Sequence, residues 1–151
     1  MRRSATARLT GALVSTLLGA LAGCGAPGED YCSALEAGNK QIADMVGSGS
    51  PSALLSNLPL LQGLAEKAPS DLTDEWQVFI GALEALDGAL DDAGVEPSDF
   101  KDGKPPAGLA AADRKLIADA AGQIGTEDVV AAVSGIEQQG RDVCKVNLGL
   151  S

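Results

Sequence analysis

Three cysteines, Cys24, Cys32 and Cys144, are the side chains of this 151-residue chain best suited to covalent chemistry. A thiol can accept an acyl or alkyl group, pair as a disulfide, attack as a nucleophile or hold a soft metal; compartment and neighbours decide which. Histidine is absent. That removes the commonest general base and the commonest metal ligand together, and with them any Ser-His-Asp, Cys-His or His-based zinc site. Carboxylates are plentiful, 21 in all, but none follows a Gly-rich turn that would position a substrate. GxxxxGK[ST], GxSxG and GxGxxG are all missing. The expectation is a protein that is not an enzyme and carries no cofactor or metal.

The neighbours of Cys24 decide its chemistry. Arg2, Arg3 and Arg8 form a basic n-region with no acid before Glu29, and Leu9 to Ala22 is an apolar stretch diluted by small residues. This is the pattern of a signal peptide, too short for a spanning helix of roughly 20 apolar residues. Leu21-Ala22-Gly23-Cys24 at its end resembles the bacterial lipobox. That resemblance implies a diacylglycerol thioether on Cys24, cleavage before it, and membrane attachment through at least two acyl chains, palmitate among them. Residues 1–23 are thus expected to be removed, and 24–30 to be the lipidated cysteine with a short Gly/Pro tether of at most ~20 Å. Residues 31–148 would be one domain on the extracytoplasmic face of the cell membrane.

Loss of residues 1–23 takes away three of the eleven basic residues and none of the acidic ones, so the formal charge moves from −10 to −13, eight basic against 21 acidic. Such a surface repels nucleic acid and anionic head groups. With Cys24 acylated, Cys32 and Cys144 are too few for a four-cysteine zinc site. In an exported chain they read as one disulfide, with free or intermolecular thiols as the alternative.

Weaker candidates remain. Asp71, Asp74 and Glu75 suit the first turn of a helix, where acids complement its dipole. Asp99, Asp102 and Gly103 lack the spacing of a calcium loop. Trp76 and Phe79 sit on an apolar stripe that suits core packing and could also line a small pocket. Phe100, flanked by Asp99, Lys101, Asp102 and Lys104, lies in a stretch with no helix to turn it inward; it either tucks onto the body of the protein or serves as a contact residue.

The elements that must position these residues are all helical. Tyr31, Leu35, Gly38, Ile42 and Met45 recur at four, three, four and three over about 30–46. Ser50-Pro51 opens a second helix carrying Leu54, Leu55, Leu58, Leu61 and Leu64, which Pro59 should kink or divide near Asn57. Leu72, Trp76, Phe79, Leu83, Leu86 and Leu90 give the cleanest period, ended by Gly94. Residues 95–108 read as a long loop. A fourth helix over about 110–123 should turn Ala112, Leu116, Ala120 and Ile124 inward, and a fifth Val129, Val133, Ile136, Gly140 and Val143. No alternating strand pattern competes.

The expected fold is all-α, a four- to five-helix bundle closed by one disulfide between its first and last helices. Those two helices would lie side by side and antiparallel, with Gly38 and Gly140 permitting close approach. Five strictly alternating helices would place the last end at the wrong pole, so either the 95–108 loop crosses the length of the bundle, which is the preferred expectation, or the fourth helix lies across it.

With LAGC, a cysteine early in the first helix, Ala68-Pro69-Ser70-Asp71-Leu72-Thr73-Asp74-Glu75-Trp76 and Val143-Cys144-Lys145-Val146-Asn147-Leu148, the chain resembles a group of small alanine-rich actinobacterial lipoproteins of no assigned function. Because those motifs are structural, the resemblance implies no functional residues. The functional expectation is a protein-interaction module of the cell envelope with a protein partner there; the alternative is a carrier or sensor of a small apolar ligand held in the bundle core.

Overall fold

A computed structural model of the chain describes residues 28–48, 50–101 and 104–150. They form six α-helices and no strand: α1 (Glu29–Gly47), α2 (Pro51–Ser56), α3 (Leu58–Ala65), α4 (Thr73–Ala93), α5 (Ala111–Ile124) and α6 (Glu127–Asp142). Short 3-10 turns lie at Ser70–Leu72 and Pro97–Asp99.

The two strongest apolar periods behave as their spacing dictates. Tyr31, Leu35, Gly38, Ile42 and Met45 are the buried residues of α1. Leu72, Trp76, Phe79, Leu83, Leu86 and Leu90 are all buried along α4 and the turn before it. Gly94 ends α4 in the left-handed conformation (φ 64°) that a side chain would disfavour.

The second helix divides where Pro59 requires it. Proline has no N–H to return to the turn before it, and the chain leaves helical geometry at Asn57. The Asn57 side chain stabilises the break, its amide donating to the Ala53 carbonyl at 2.7 Å and its oxygen accepting from Gln41 at 2.6 Å.

Helix α4 is the axis on which α3, α5 and α6 pack. Its C-terminal half meets α5: Leu86 and Leu90 share a cavity wall with Arg114 and Ile117. Its N-terminal half meets α6, where Gly135 lies against the Glu75 side chain. Thus α5 and α6 run one after the other in the same direction, antiparallel to α4, with Gly125-Thr126 as the break between them. This corrects the expected topology. The last helix reaches the pole of Cys32 because α5 and α6 do not reverse at Gly125, so no crossing loop is needed. Residues 95–108 leave and return at one pole: Pro97, Phe100, Pro105 and Leu109 all border the cavity beside Leu90.

The disulfide forms, Cys32 to Cys144 with Cα atoms 4.9 Å apart, and encloses a sequence separation of 112. Cys144 lies two residues beyond α6, and it is α4, not α1, along which α6 packs. The two glycines do accept close neighbours, but not each other. A Cβ on Gly38 would meet Leu60 of α3 at 3.4 Å, and one on Gly140 would meet the Val146 carbonyl oxygen at 3.3 Å. The latter neighbour belongs to a C-terminal tail that folds back over α6. Lys145 turns it with a positive φ of 59°, the Val146 N–H donates to the Gly140 carbonyl, and Val146 and Leu148 are buried.

Three residues expected to face inward do not. Ala112 is exposed, Leu116 is 56 % exposed and Val143 is 58 % exposed. In α5 the buried residue is Ile117, with Ala120 and Ile124 partly covered; the helix is rotated about one position from the expected phase. Val143 caps α6, its N–H still donating to the Gln139 carbonyl, and stands uncovered at the end of that helix.

Candidate functional site

Two poles and one buried cluster organise the candidate residues. At the first pole the disulfide ties the start of α1 to the tail. Leu21–Cys24 and the tether as far as Pro27 lie outside the described residues, but the described chain begins at Gly28, beside this pole. Asp102 and Gly103 likewise lie outside the described residues.

The cluster sits just inside that pole. The Trp76 indole N–H donates to the Tyr31 hydroxyl at 3.1 Å, and the rings meet edge to face with centroids 6.4 Å apart. Phe79 packs against Trp76 with its ring tilted and the centroids 6.2 Å apart. Burial pushes the Tyr31 phenol up to about 12, the Trp76 N–H offsetting part of that rise. Trp76 itself is 2 % exposed; Phe79 borders a groove of about 420 Å³ between α1 and α6, walled also by Met45, Val133 and Leu150.

The opposite pole lies roughly 22 Å away along α1, at 1.5 Å per residue from Cys32 to Gly47. Here the described residues of the 95–108 segment are tied by hydrogen bonds. The Asp99 carboxylate accepts from the Glu96 N–H at 2.9 Å, and Lys101 and Lys104 exchange backbone hydrogen bonds in a tight reversal. The Lys101 ammonium donates to the Ser98 carbonyl at 3.0 Å. This framework turns Phe100 inward, where it is half-buried against the core, while Lys101 and Lys104 stay exposed. Phe100 then forms one wall of a cavity of about 330 Å³, with Leu55, Leu90, Leu109 and Ile117 as other walls and Arg114 as the one charged residue lining it among the described residues.

Among the described residues no three acidic or cysteine side chains converge as a metal site would require, and no helix is long and apolar enough to cross a membrane. Comparison with protein-family models, with curated proteins and with solved structures finds no match for this chain. Its chemistry therefore rests on its own residues.

Sequence reasoning missed two features. Glu137 is only 3 % exposed and pairs with Arg141 at 2.8 Å across one turn of α6. The Glu-x-x-x-Arg spacing was visible, but nothing in it marked the carboxylate as buried. The cavity beside Phe100 joins α2, α4, α5 and the 95–108 segment, and no linear spacing announces such a meeting.

Proposed function

We propose that this chain is a lipid-anchored, non-enzymatic interaction module of the cell envelope, held by acylated Cys24 and presenting its far pole to a protein partner. The observation that supports this reading most is the placement of the two ends. The described chain starts at the disulfide pole, so a short tether would hold that pole near the lipid surface and turn the 95–108 segment away from it.

On this reading the domain is a bundle of four helical runs, α1, α2–α3, α4 and α5–α6, which the Cys32–Cys144 bond closes at the anchored end. Lys101 and Lys104 stand together as exposed cations on a strongly acidic body. A partner that meets them together with the surrounding carboxylates would be fixed in orientation by that contrast of sign. The lack of histidine and of any nucleotide or nucleophile motif favours binding over catalysis. The resemblance to small actinobacterial lipoproteins agrees with the same assignment.

Two experiments test it. Cys24→Ser should move the chain from the membrane fraction to the soluble envelope fraction; retention in the membrane would refute the anchor. A photo-reactive residue at Lys104 should capture one dominant protein in the native host, and the same residue at Asn147, exposed at the disulfide pole, should not. Capture at Lys104 should be lost with Lys101→Glu. Equal or diffuse capture from both poles would refute the interaction surface.

A further inference from the structure

We propose that the cavity beside Phe100 is a binding site for a single-chain anionic amphiphile, with the chain between α4, α5 and the 95–108 segment and the head group on Arg114. The volume of about 330 Å³ lies at the small end of ligand pockets. Its walls are mostly apolar, with Leu55, Leu90, Phe100, Leu109 and Ile117 among them. The Ser50 and Ser52 hydroxyls also reach it, but they are 2.6 Å apart and hydrogen-bonded to each other. A ligand with several polar groups would leave them unpaired there, so the body of the ligand must be hydrocarbon.

Arg114 supplies the other half of the specificity. Lys40, Lys115 and Arg141 are ion-paired, and Lys101 and Lys145 donate to backbone carbonyls. Arg114, like Lys67 and Lys104, stands exposed with no such partner among the described residues, and of these three it is the one that lines the cavity. Nor does it serve its helix, since it lies in the first turns of α5, where a cation opposes the helix dipole. A guanidinium held at the mouth of an apolar cavity matches a carboxylate or phosphate with two parallel hydrogen bonds. The chemistry required is one flexible alkyl chain with one such head.

This site does not depend on the partner reading, because the purified chain needs no partner to fill it. The test uses the whole exported chain from residue 24 with Cys24→Ser, so that no acyl group of its own competes. It is titrated by calorimetry with dodecanoate, dodecyl phosphate and dodecan-1-ol below their aggregation thresholds. Dodecanoate or dodecyl phosphate should bind saturably, one per chain, and the tighter of the two identifies a carboxylate or a phosphate head as the natural one. Arg114→Gln should weaken that binding by about tenfold or more, the worth of a charged hydrogen bond, and leave the weaker binding of dodecan-1-ol unchanged. Ala118→Trp, which fills the cavity mouth from an exposed position, should abolish all binding, while Lys115→Gln should not alter it. The proposal is overturned if neither anion saturates, if the alcohol binds as tightly as the anions, or if Arg114→Gln or Ala118→Trp binds like the parent chain.

Discussion

Removing the Cys32–Cys144 bond should cost this protein a large share of its stability without rearranging its native core. The bond closes a sequence separation of 112. On the chain-entropy relation that loop is worth about 4–5 kcal/mol at 25 °C. Net stabilities of domains run to only ~5–15 kcal/mol, so the loss is roughly a third of the total or more. At roughly 4 °C per kcal/mol for a chain of this length, the melting midpoint should fall by about 15–20 °C.

The native core should not change, because Tyr31, Trp76 and Phe79 are held by their mutual ring contacts and by burial. Trp76 is the sole indole, so urea titration followed by its emission reads the core directly. The paired variant Cys32→Ser/Cys144→Ser and the reduced parent chain should agree in midpoint. Both should keep the emission maximum of the oxidised chain at zero urea, and their urea dependence should steepen, since the uncrosslinked unfolded chain exposes more surface. A loss below about 1 kcal/mol would refute the entropic argument. A red-shifted Trp76 in the absence of urea would refute it differently, by showing that the bond holds the core shut.

Three further outcomes are expected. Tyr31 has a folded pKa of about 12 against about 10 when unfolded. Its contribution is therefore fully present below pH 10 and is lost between about pH 10 and 12, a fall of ~2–3 kcal/mol in unfolding free energy; a flat profile across that window, or one that Tyr31→Phe leaves unchanged, would contradict it. Leu83→Ala, at a fully buried position of α4, should cost about 2–5 kcal/mol, whereas Leu116→Ser should stay within about 0.5 kcal/mol; chemical denaturation of the two variants side by side checks the rotation of α5. Arg141→Ala removes the ion-pair partner of buried Glu137 and should cost about 1–3 kcal/mol, with Arg141→Lys recovering part of the loss; equal stability of all three chains would show the pair to be inert.

Helices α1 and α4 were legible because each presents one continuous apolar stripe to neighbours along its whole length, so spacing alone gives the buried face. Helix α5 was not. It is rich in alanine and buries only Ile117 fully, so an apolar period through Leu116 competed with the true one through Ile117, and only the position of α4 decides between them. Pro59 announced the division of α2 from α3, and Gly125-Thr126 announced a break after α5. A break does not state a direction, however. A glycine between helices serves a reversal and a continuation alike, and the contacts of α5 and α6 with opposite halves of α4 settle it. The tail was not legible: its landing place on α6, against Gly140, which has no Cβ to hold it off, is a tertiary contact that no spacing reveals. The candidate cavity has the same character. Phe100 was conspicuous as a loop aromatic among charged residues, while the turn that aims it inward is made by backbone and side-chain hydrogen bonds that spacing does not reveal.

The disulfide also decides what a protease can achieve. Any peptide bond between Cys32 and Cys144 lies inside a covalent ring, so a single cut there opens the ring and releases nothing. A nick at the exposed Lys101–Lys104 reversal would leave two fragments, one with α1 to α4 and one with α5, α6 and the tail, still joined by Cys32–Cys144 and still packed together along α4. They would run as one species until reduced. Cleavage at the far pole is in this way uncoupled from separation: the chain can be cut between Lys101 and Lys104 and keep its two pieces together.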